Sequence, residues 1–178
     1  MRKVLILVTT AWALLTPLMA SAADRWYVGA LLGSEFFTSD AGDFFDDGIA
    51  YGVFGGYRLE RQISLEASLS TASHEYNVYH HGKDEVQVTS LVFGPRFSGM
   101  VGRNMELYAG AGLGLHHIDD DPRDETDTQS GLYLGGGIDF LLPQAMRLGL
   151  DFKYHALFDN NPLDGDIVTM LVRLGFDL

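Results

Sequence analysis

The sequence contains no cysteine among its 178 residues. That absence excludes a disulfide scaffold, a Cys-ligated zinc site, a cysteine nucleophile and a lipidated N-terminal cysteine. Beyond residue 22 no stretch holds 18 unbroken apolar residues, so no later segment reads as a transmembrane helix. Positive charge is scarce: 12 Lys and Arg stand against 24 Asp and Glu, for a net charge of −12. A chain this acidic is a poor partner for nucleic acid. Helical periodicity is hard to find as well. What is abundant is apolar and aromatic residues, 47% and 12%, together with 21 glycines. That content is too high for disorder, and the length suits one domain.

The N-terminus reads as an address. Arg2 and Lys3 precede an apolar stretch from Val4 to Met19, and Ala20-Ser21-Ala22 is a small-residue cleavage site. The expectation is a cleaved signal peptide over residues 1–22 and a barrel domain over residues 23–178. A retained anchor fits less well, because the apolar run is shorter than the roughly 20 residues a spanning helix needs. Cleavage leaves 156 residues with a net charge of −14.

After Ala23 the pattern alternates with period two, the signature of strands. In the last segment Val168, Met170, Val172, Leu174, Phe176 and Leu178 share one face, while Thr169, Leu171, Arg173, Gly175 and Asp177 share the other. Before it, Met146, Leu148, Leu150, Phe152 and Tyr154 alternate with Arg147, Gly149, Asp151, Lys153 and His155. The same pattern runs through 132–140, 107–115, 90–98 and 63–70, and more weakly through 26–36 and 49–59. Eight strands are expected. Leu59–Gln62, Met100–Asn104 and Leu142–Ala145 read as short turns. Ser34–Gly48, Thr71–Glu85, His116–Ser130 and Ala156–Asp166 read as long polar loops. Short turns on one rim and long loops on the other describe an all-β, eight-stranded antiparallel up-and-down transmembrane barrel.

The faces decide its solvent. One face is continuously apolar and aromatic; the other mixes glycine, serine and charge. A soluble lipocalin-like barrel would turn the apolar face inward. Rows such as Gly110, Gly112 and Gly114 argue against that, since glycine makes room for bulky neighbours in a narrow lumen and gives a wet surface little. The expected arrangement is apolar side chains toward lipid and charges toward the axis, with every backbone group paired by closure.

With strands and faces assigned, the chain resembles the OmpA/OmpX-type outer-membrane barrels, including the opacity-protein-like porin family surface proteins. The stretches that carry the likeness are Trp26-Tyr27-Val28-Gly29-Ala30, Gly52-Val53-Phe54-Gly55-Gly56-Tyr57, residues 107–114 and the C-terminal strand. The resemblance implies a protein of the Gram-negative outer membrane, in contact with lipid and lipopolysaccharide, monomeric and without cofactor. It also implies a lumen ion-pair cluster. Glu66 matches the family's first acid, Arg96 stands where the family has a lysine, Asp151 matches the second acid, and Arg173 matches the arginine. Two roles follow for it, a switchable gate on a small conduit or a structural filling that fixes register; the second is preferred, because eight strands enclose a space that side chains fill. The chain departs from the family at Leu178, where an aromatic is usual, with Phe176 on the same face as its substitute. Pro95 within a strand removes a ladder hydrogen bond and marks a bulge or the approach to the periplasmic rim.

Other chemistry is sparse. His74, His80, His81, His116, His117 and His155 all fall in or beside the long loops, near Asp119, Asp120, Asp121, Asp124, Glu125 and Asp127, without metal-ligand spacing. The run Asp159–Gly165 fails as a calcium loop, having Leu163 at its fifth position and no Glu at its twelfth. Solvated acidic loops, available to an extracellular ligand or to divalent ions bridging to lipopolysaccharide, are the expectation. A lipid A deacylase is the enzymatic rival: His155 stands where such enzymes place a histidine. Leu157 occupies the position of their serine, and catalysis then lacks a nucleophile. A narrow porin is the other alternative. Gly135-Gly136-Gly137 and similar runs precede no helix and are not nucleotide loops.

Overall fold

Each alternating segment becomes a strand. The computed structural model describes residues 25–38, 47–75, 85–120, 125–158 and 166–178. The expected signal peptide, His80, His81 and the run Asp159–Gly165 lie outside the described residues. The strands are β1 (Trp26–Phe37), β2 (Gly48–Arg58), β3 (Ile63–Glu75), β4 (Glu85–Val101), β5 (Met105–Asp120), β6 (Glu125–Leu141), β7 (Met146–Leu157) and β8 (Ile167–Asp177). Each pairs antiparallel with its successor, and β8 closes on β1 through pairs such as Val28↔Phe176 and Leu31↔Arg173. Closure leaves no sheet edge within the ring, so the wall can cross hydrocarbon with its backbone paired.

The side chains divide as the alternation requires. Leu150 and Val172 are 57% and 47% exposed on the outer surface, whereas Asp151 and Arg173 are 4% and 1% exposed within. A lipocalin-like inversion is thereby excluded. Several inward glycines have a use that their spacing only hinted at: they lie under an aromatic from a neighbouring strand. A Cβ at Gly56 would meet the Tyr27 ring, one at Gly137 the Tyr108 ring, and one at Gly112 would come within 2.7 Å of the Tyr133 ring. Four large rings (Tyr27, Phe54, Tyr108 and Tyr133) thus fit inside a barrel whose interior is only side-chain wide.

Two expectations are corrected. Pro95 makes no bulge: pairing with β5 lapses between Phe93↔Leu113 and Arg96↔Gly110, but the register is the same on both sides, and β3 pairs straight across it at Leu65↔Pro95. The missing N–H interrupts the ladder without adding a residue. The loops expected over Thr71–Glu85 and His116–Ser130 are also shorter. Strands continue through them to Glu75↔Glu85 and Asp120↔Glu125. The polarity of the two faces inverts here. Val86, Val88 and Ile118 point inward, while Gln87, His117 and Asp119 point outward. Where the wall rises out of lipid, water wets its outer face and the apolar side chains turn to the axis, so a pattern of constant phase ends before the strand does.

The lumen as candidate functional site

Alternation places inward charges on several strands, and closure brings them together in the lower, short-turn half of the barrel. Glu66 on β3 is the first hub. It accepts from Arg96 on β4 at 3.0 Å, from Arg173 on β8 at 2.9 Å and from the Tyr27 hydroxyl at 2.9 Å. Asp139 on β6 is the second. It is wholly buried, accepts from Arg96 at 2.6 Å and lies 3.4 Å from Nε of Arg173. Arg147 pairs with Glu106 at 2.9 Å and with Asp177 at 2.8 Å, and Asp177 meets Arg58 at 2.5 Å. Asp151 accepts from the Tyr108 hydroxyl at 2.7 Å and from Lys153. The Arg96 guanidinium lies 3.7 Å from the centre of the Tyr108 ring, and that of Arg173 lies 4.0 Å from the centre of the Phe54 ring. Such stacking desolvates a guanidinium without leaving it unpaired.

Of the four residues singled out by resemblance, Glu66, Arg96 and Arg173 are in direct contact. Asp151 stands at the margin, 3.9 Å from Arg173, with Lys153 and Tyr108 as its nearer partners. The resemblance missed Asp139, Glu106, Arg147, Lys153, Asp177 and Arg58. Their inward positions were legible in the alternation for Asp139, Arg147, Lys153 and Asp177; their membership was not. Among the described residues the network joins five bases (Arg58, Arg96, Arg147, Lys153, Arg173) to five acids (Glu66, Glu106, Asp139, Asp151, Asp177), which balances its formal charge. Neutrality matters because an uncompensated charge in a low-dielectric interior is costly.

Above it lies a layer of polar groups. Ser90 Oγ is 2.8 Å from Nδ1 of His116, whose ring meets that of His155 edge-to-face at 5.0 Å. Among the described residues, Nε2 of His116, Nδ1 of His155 and Oγ1 of Thr169 are buried without a hydrogen-bond partner. Higher still, His74 and Glu35 pair at 3.3 Å. The outer end is capped by an apolar cluster of Val86, Val88, Ile118 and Ile167, with Phe37 and Leu157 packed against it.

The histidines therefore do not behave as a loop set. His74, His116 and His155 are inside the barrel; His117 faces outward and hydrogen-bonds Thr128 at 3.0 Å. Among the described residues no group of three or more His, Cys, Asp or Glu is placed to hold a metal.

The sequence matches the family model described as the outer membrane protein beta-barrel domain over residues 5–177. No curated protein matches it. Among solved structures it is similar to Neisserial surface protein A, with 15% identity, 86% of this chain and 97% of that chain covered and a TM-score of 0.68. It is also similar to OprG from Pseudomonas aeruginosa, with 15% identity, 88% and 98% covered and a TM-score of 0.61. A third is Ail of Yersinia pestis in complex with the heparin analogue sucrose octasulfate, with 14% identity, 85% and 95% covered and a TM-score of 0.55. At these identities the likeness is one of fold. Taken with the closed antiparallel ring, the lipid-facing belt and the enclosed charges, the family match over nearly the whole sequence shows that this chain belongs to the outer membrane protein β-barrel domain family and resides in the outer membrane.

Proposed function

We propose that the chain is a non-enzymatic surface barrel with a closed lumen: a rigid, monomeric scaffold, exported by a signal peptide over residues 1–22, that carries acidic connections to the cell exterior for interaction or adhesion. The observation that carries this reading is the partition of charge. Sixteen of the 24 acids, but only Lys83 and Arg123 of the 12 bases, fall within 38–47, 75–85, 119–127 and 158–166. The rest of the mature chain has eight acids and eight bases. The entire surplus of negative charge thus falls in these four connections. A partner of this surface is cationic or bridged by divalent ions. A polyanion such as the one in the Ail complex does not suit it.

The ion-pair network around Glu66 and Arg173 is assigned a structural role, and the apolar cap above it supports a closed lumen. The porin alternative needs a hydrated path through both. The deacylase alternative needs a lipid-facing base, but His155 is 3% exposed and turned to the axis, with Leu157 two residues on. The test is planar-bilayer recording of the refolded barrel, its fold checked by boiling-dependent gel mobility. No steady conductance is expected; a stable open level would favour the porin reading.

A further inference from the structure

The lipid-facing wall is uneven. At one level its outward row runs Val28 (β1), Gly55 (β2), Ala67 (β3) and Phe93 (β4), each paired with the next. Two small residues side by side leave an almost wholly apolar notch of about 440 Å³, walled by Trp26, Tyr57, Leu65 and Phe93. Directly below, on the short-turn rim, the Trp26 and Tyr57 rings lie 4.9 Å apart. Nη1 of Arg25 donates to the Tyr57 hydroxyl at 3.3 Å, and the adjoining turn adds exposed Arg61 and Glu60. Among the described residues no carboxylate pairs with Arg25.

We propose that this notch binds an anionic glycerophospholipid of the periplasmic leaflet, with its phosphate at Arg25 and Tyr57 and one acyl chain seated over Gly55 and Ala67. The parts match that occupant. Short turns of such barrels face the periplasm, and paired aromatics mark the headgroup level. The Tyr57 oxygen accepts from Arg25, so its own proton is available to a phosphate oxygen, while the guanidinium has further donors for a second one. Arg25 meets no described carboxylate, which favours a net-negative headgroup over a zwitterionic one. A second outward notch of about 330 Å³ beside Gly136, Phe152 and Met170 has the hydrocarbon shape but no tyrosine or tryptophan in its lining to hold a headgroup, and serves as the internal control.

The test uses the full-length protein, reconstituted in vesicles of equal parts phosphatidylethanolamine and phosphatidylglycerol, released in mild detergent and weighed by native mass spectrometry. Phosphatidylglycerol is expected to be retained in preference to phosphatidylethanolamine. Arg25→Gln should lower that preference about tenfold, the scale of one charge-assisted hydrogen bond. The pair Gly55→Val and Ala67→Leu should abolish retention of either lipid by filling the notch. The filled variant is expected to fold, because a Cβ at Gly55 meets its nearest atoms only at 3.6 Å. No preference in the wild type, or a preference that survives both variants, would overturn the proposal; gel mobility confirms that each variant is a folded barrel.

Discussion

Arg173 shows what one lumen residue does. Its guanidinium lies between Glu66 at 2.9 Å, Asp139 at 3.4 Å and the Tyr108 hydroxyl at 3.0 Å, and it is 1% exposed. Truncation leaves the buried network one positive charge short, with Glu66 and Asp139 both dependent on Arg96. Arg173→Ala is therefore expected to destabilise the barrel by about 3–5 kcal/mol, read from the urea midpoint of folding into lipid vesicles. Its planar-bilayer conductance should stay at the wild-type level, and a newly open channel would restore the gate. Gly112 is a packing counterpart. A Cβ there meets the Phe93 carbonyl oxygen and comes 2.7 Å from the Tyr133 ring. Gly112→Val should cost about 1–3 kcal/mol by overpacking, measured the same way. At this scale the sequence revealed which face a residue takes, since that depends only on parity along the strand. It did not reveal partners. Glu66 and Arg173 are 107 residues apart, and only the closing of β8 on β1 brings them together. For the same reason Asp139, read as inward, was not seen to be a hub.

At the scale of elements, strands with lipid outside and charge inside are the legible ones. β7 and β8 follow their alternation throughout. β5 and β6 extend beyond theirs, because apolar and polar faces exchange sides once the wall leaves the membrane. Turns are a separate matter. The connection from β6 to β7 places Gln144 at φ 65° and Ala145 at φ 59°, two successive left-handed residues without a glycine. Asn-Gly is the pair that relieves such a turn. Replacing Gln144 with Asn and Ala145 with Gly should raise stability by about 1 kcal/mol, seen as a higher urea midpoint at unchanged slope. No change would mean that the turn is not under strain.

For the whole molecule, charge is sorted along the sequence: the described ion-pair network sets five acids against five bases, and the surplus of acid falls in the four long connections. The lumen pairs are buried and weakly screened, so added salt reaches them little. Raising sodium chloride from low to molar concentration should therefore leave barrel stability nearly unchanged. It should also weaken any binding of a cationic partner to the acidic connections. Loss of stability in salt would show that the ion pairs are hydrated and the lumen open.

The sequence by itself determined the number of strands, the face each side chain takes in the lipid-crossing spans, the lipid-facing belt and the surplus of acid in the long connections. All of these follow from composition and from a two-residue period that operates locally. Tertiary structure alone decided which five acids meet which five bases, that His74 and His116 join His155 inside, that an apolar cluster packs within the outer end, and that two small residues on adjacent strands make one notch. These depend on the register between strands and on closure of the ring, which bring together residues whose separation along the chain carries no period to read.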